Sequence, residues 1–78
     1  MRQSLIAALD RLEQGDWEVA HRIAAGDTSA QGAWLHAHLH RVEGDPGNAA
    51  YWYRRAGRAA FGGPPEAERA ELRAALAG

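Results

Sequence analysis

There is no cysteine in this chain, which excludes disulfides, thiolate metal sites and cysteine nucleophiles and agrees with a reducing compartment. Lysine is missing too: all nine basic residues are arginine. Against ten acids they leave a formal net charge of −1, so the chain lacks the charge excess that draws proteins to nucleic acid or to anionic membranes. No apolar run is long enough to cross a bilayer, and Met1-Arg2-Gln3-Ser4 passes directly into a segment carrying Asp10, Arg11 and Glu13, with no apolar leader core. A soluble, cytoplasmic protein without membrane or nucleic-acid partners is expected. A glycine-rich phosphate loop, a His-Glu-x-x-His motif, a calcium loop and a dinucleotide fingerprint are all missing, which argues against an enzyme.

What is present is helical punctuation. Leu5, Ile6, Leu9 and Leu12 recur at three- and four-residue spacing, predicting a helix over about Arg2 to Gln14. Gly15-Asp16 ends it and caps a second helix, Trp17 to Ala25, which stops at Gly26. Asp27-Thr28-Ser29 starts a third, about Ala30 to Glu43, with Leu35, Leu39 and Val42 on its apolar face. Gly44-Asp45-Pro46 repeats the break, and the fourth helix is expected to bury Ala49, Trp52, Tyr53, Ala56 and Ala60. Gly62-Gly63-Pro64-Pro65 then separates it from a capping helix over Pro65 to Ala77 with a narrow stripe of Leu72, Ala75 and Leu76. No stretch alternates with period two, so the fold class is all-α: about five helices in antiparallel hairpins, forming one small domain of 78 residues.

An internal repeat organises these helices. Leu9-Asp10-Arg11-Leu12-Glu13 returns as Leu39-His40-Arg41-Val42-Glu43, and Gly15-Asp16 returns as Gly44-Asp45, an offset of about thirty residues. The segment Ala49-Ala50-Tyr51-Trp52-Tyr53-Arg54-Arg55-Ala56-Gly57 resembles the A-x-x-W-Y-x-x-A core of the Sel-like variant of tetratricopeptide repeats, and Gly15-Asp16 with Ala20 matches in the same way. The resemblance implies two repeat units, at about 2–26 and 30–60, followed by a cap at about 65–77, and a protein or peptide as partner. So few units call for the cap or a second subunit to complete the stack, so a homo-oligomer is a further expectation. The resemblance also puts Ala37 at the small position of its helix, and hence His36 and His40 where the family packs large apolar side chains. Apolar periodicity centres the face on Leu35, Leu39 and Val42 instead. The stretch from Trp34 to Gly57, W-L-H-A-x-L-H-R-x-E-G-D followed by N-A-x-Y-W-Y-R-R-A-G, is also similar to a group of small bacterial proteins, a similarity that brings no function with it.

The chemistry-bearing residues cluster between Trp34 and Arg58. His36 and His40 stand four apart on one helical strip and Glu43 follows three later, a set that with His21 could ligate zinc or another first-row divalent ion, Asp45 being a further candidate ligand. The plainer account is that these histidines pack by their ring edges. His38 lies on another flank beside Trp34 and would suit a general base, yet no serine or cysteine is placed to use it, and a buried hydrogen bond to a tyrosine hydroxyl or a backbone carbonyl explains it as well. Tyr51, Arg54, Arg55 and Arg58 form a basic, aromatic strip suited to carboxylates, or else a solvated helix end. Trp34 is expected at the rim of its helix and exposed, as a binding anchor. The functional expectation is a small helical interaction module using Trp34, His38, Tyr51, Arg54, Arg55 and Arg58. The alternatives are a metal- or small-ligand-binding protein built on His36, His40, Glu43 and His21, and an acid/base enzyme centred on His38.

Overall fold

Asp16, Ser29 and Asp45 each accept, through a side-chain oxygen, the backbone N–H three residues on, from Val19, Gly32 and Asn48. Each cap satisfies one donor that a helix start leaves orphaned. A computed structural model describes residues 2–78, and among these the chain forms five α-helices and no strand. They are α1 (Arg2–Glu13), α2 (Trp17–Ala25), α3 (Ala30–Glu43), α4 (Pro46–Arg55) and α5 (Pro65–Ala77). Among the described residues no helix is long and apolar enough to cross a membrane.

The third helix sits at the centre. It packs against α2, α4 and α5, while α1 packs against α2 and α5. Every residue from Gly32 to His40 is buried in consequence, so α3 has no solvent stripe along that run. Leu35, Ala37 and Leu39 are all fully enclosed, and the conflict between the repeat register and the apolar face disappears because both faces are covered. Val42, expected in the core, lies in the last turn and is 43% exposed. Around α3 the core is completed by Leu5, Ala8 and Leu9, by Ala20 and Ala24, by Ala49 and Tyr53, and by Leu72 and Leu76.

Two glycines make this arrangement possible. Gly44 closes α3 in the left-handed conformation at φ 89°, which costs a side-chain-bearing residue about 1–2 kcal/mol. Gly32 lies so near the preceding turn that a Cβ there would stand 2.6 Å from the Asp27 carbonyl oxygen. The α4 helix is shorter than the periodicity implies. It stops at Arg55 because Ala56 caps it and Gly57 turns to φ 71°, leaving Ala60 outside the helix and exposed.

Candidate metal centre

Four-residue spacing on α3 stacks the rings of His36 and His40, centroids 4.9 Å apart. From α2, His21 enters between them, at 4.8 Å from the His36 ring and 5.2 Å from the His40 ring. The Nε2 atoms of His21 and His36 are 3.1 Å apart and share a hydrogen bond. One ligand nitrogen from each of the three histidines lies within 4.8 Å of the other two. His36 and His40 are 6% and 7% exposed, and His21 is half-buried.

Tryptophans wall the cluster. Trp17, one turn before His21, stacks on its ring at 4.7 Å and 8°, and its indole N–H donates to the Leu39 carbonyl at 2.8 Å. That bond ties α2 to α3 beside the imidazoles. Trp52 of α4 stacks on His36 at 3.9 Å and 13°. Orientation of His40 comes from Glu43, whose Oε1 accepts from Nδ1 at 2.8 Å. A carboxylate holding one ring nitrogen leaves the other aimed away and fixes the tautomer that binds a metal through Nε2. His36 has no such support, for its Nδ1 is buried without a partner. Asp45 groups with Glu43 and His40 rather than with His21 and His36, and its side chain caps α4.

Burial, followed by the charges of His21 and His40, pushes the His36 pKa down from 6.5 to about 4. The ring is therefore neutral at neutral pH, with one nitrogen unprotonated. The unfolded chain takes up a proton near 6.5 that the folded chain refuses until about 4, so stability is lost progressively as pH falls through that window. Urea midpoints measured between pH 7 and 4 should decline, and His36→Phe, which keeps a ring against Trp52, should flatten the decline. An equally steep limb in the variant would refute the assignment.

A second polar cluster closes the opposite side of α3. Glu68 of α5 is fully buried. Its Oε2 accepts from the Trp34 indole at 3.0 Å and from the Tyr53 hydroxyl, and its Oε1 accepts from His38 Nδ1 at 2.6 Å and from Arg41 at 3.1 Å. Burial raises the Glu68 pKa, but the hydrogen bonds from His38, Tyr53 and Trp34 outweigh it and hold the carboxyl at about 2. Tyr53 is displaced upward, by burial first and then by Glu68. Arg41 also reaches the Gly63 carbonyl and lies 5.7 Å from the Phe61 ring centre, securing the connection between α4 and α5.

This second cluster rearranges the surface expected from the sequence. Trp34 is 3% exposed and His38 is not exposed at all, so the anchor expected at the rim of α3 is core. His38 bonds a carboxylate, not a tyrosine or a backbone carbonyl, and its Nε2 is buried without a partner. A general base there would have no approach for substrate. Tyr51, Arg54, Arg55 and Arg58 are exposed, with Arg55 donating to the Tyr51 hydroxyl at 3.1 Å and Arg58 lying 3.5 Å from the Trp34 ring centre. The structure thus separates the expected binding set into two buried rings and four exposed side chains, while it brings His21, His36 and His40 together. Glu68 was not singled out in the sequence, since one glutamate in a Glu- and Arg-rich helix looks solvated; only its position in register with Leu72 and Leu76 hinted otherwise. A surface depression of about 460 Å³ lies at the end of α2, lined by Ser4, Arg22, Ile23, Gly26, Asp27 and Thr28, and no histidine borders it. Comparison with protein-family models, curated proteins and solved structures returns no match for this chain, so what the histidine cluster does follows from its own geometry.

Proposed function

We propose that this protein binds one first-row divalent metal ion, zinc or a close neighbour, through His21, His36 and His40. The observation that carries this reading is the convergence of three imidazoles from two helices, two of them with Nε2 atoms 3.1 Å apart. Zinc–nitrogen bonds of about 2.0–2.1 Å in tetrahedral geometry place ligand nitrogens about 3.3 Å from one another. The His21–His36 pair already stands near that spacing, and a His40 nitrogen lies within 4.8 Å of both. Glu43 is the outer partner that orients His40 and raises its basicity, while the low pKa of His36 removes competition from protons.

The alternative of an acidic-peptide surface retains Arg54, Arg55, Arg58 and Tyr51 but loses Trp34 and His38 to the interior. Its anchor is missing, so it is the weaker reading. Calorimetric titration of tag-free protein with zinc tests the metal directly. One equivalent is expected, with Glu43→Ala weakening binding about 10–100-fold and His36→Phe weakening it further. Wild type that binds zinc no better than a variant lacking all three histidines would end the proposal.

A further inference from the structure

We infer that the ion held by His21, His36 and His40 keeps one coordination position open and takes a small exchangeable anion there, hydroxide or a monodentate carboxylate. The inference rests on the metal-binding reading above and specifies how the site is completed.

Three features support it. Among the described residues, the group around His21 and His36 contains three donors and no fourth, whereas a closed structural zinc site needs four. Glu43, the nearest acid in the sequence, is bonded to His40 Nδ1, which leaves Nε2 as the ring nitrogen available to an ion. To reach the metal it would have to release the ring that it orients. Charge points the same way. Three neutral imidazoles leave the ion's double positive charge intact in a setting where His36 and His40 are largely withdrawn from water and two indole rings form walls. Glu43 offsets one unit through His40, and an anion in the fourth position offsets the second. Water bound there would ionise far below its ordinary pKa for the same reason. Half-buried His21 leaves the α2 edge of the cluster nearest to solvent.

Cobalt(II) reports coordination through its visible absorption and serves as the probe. Cobalt-loaded wild type should show ligand-field bands that shift on titration with azide or acetate and saturate at one anion per metal. Glu43→Gln retains an acceptor for His40 Nδ1 but removes its charge, so it should bind cobalt less tightly than wild type while giving, once saturated, wild-type bands that still shift with azide. Bands that form but ignore azide would overturn the open position while leaving metal binding intact. A spectrum altered by Glu43→Gln before any azide is added would identify Glu43 as the fourth ligand and also overturn it. If cobalt produces no ligand-field bands and does not bind, the metal reading itself fails.

Discussion

Glu68→Ala should destabilise the fold by about 3–5 kcal/mol, the penalty typical of removing one partner from a buried charged network. Whole domains are stable by only about 5–15 kcal/mol, and a 78-residue chain belongs toward the lower end. The substitution would strip the acceptor from four donors at once, the Trp34 indole, the Tyr53 hydroxyl, His38 Nδ1 and the Arg41 guanidinium. Each buried donor left unmade costs about 1–3 kcal/mol, and Arg41, with its side chain a quarter exposed, can recover water most easily. Glu68→Gln should recover little. Its amide keeps one oxygen but turns an NH2 group toward donors on the other side, and it removes the charge that balances Arg41. Urea denaturation followed by circular dichroism measures both variants, and a loss below about 1 kcal/mol for alanine would show that solvent satisfies the cluster. Acid should reproduce part of the effect in wild type. With the folded pKa at about 2 against 4.5, the carboxylate's contribution is complete above 4.5 and lost as pH falls through about 2, a limb below the one assigned to His36.

Saturating zinc should raise the melting temperature by roughly 10–20 °C. At one hundred times its dissociation constant a ligand confined to the folded state adds about 2.7 kcal/mol, and domains of this size gain about 4–8 °C per kcal/mol. The ion would join α2 to α3 beside the Trp17–Leu39 bond, a contact between helices separated only by a short turn. His36→Phe and His40→Gln should melt without a zinc-dependent shift, and chelator should return the wild type to its metal-free value. A shift under about 2 °C at zinc concentrations where calorimetry shows full occupancy would mean that the ion adds no folding free energy and binds the unfolded chain as well.

The helix boundaries were legible because they depend on local chemistry. Asp16, Ser29 and Asp45 cap through bonds three residues long, and Gly44 supplies a backbone conformation that its own lack of Cβ permits. The one displaced boundary, the end of α4, also has a local cause in Gly57, whose left-handed turn outweighs the apolar spacing that continues to Ala60. Burial was less legible. A 3.6-residue period identifies one apolar face, and α3 is buried all round from Gly32 to His40, so Trp34, His36 and His40 looked peripheral while they are interior. The candidate metal set His36, His40, Glu43 and His21 could be named from the spacing of its three α3 members, but Glu43 groups apart from His21 and His36, and the meeting of His21 with His36 and His40 depends on how α2 lies across α3.

By itself the sequence determined the all-α class, the helix limits to within a few residues, and the residue types available for chemistry, since capping, glycine conformation and apolar periodicity act over one or two turns. Only the tertiary structure decided which of those residues meet. It drew His21 to His36 and His40 between two indoles, and it enclosed Glu68 under four donors drawn from α3 and α4. Both arrangements depend on helix packing between residues up to 34 positions apart, and no local spacing encodes the angle at which one helix crosses another.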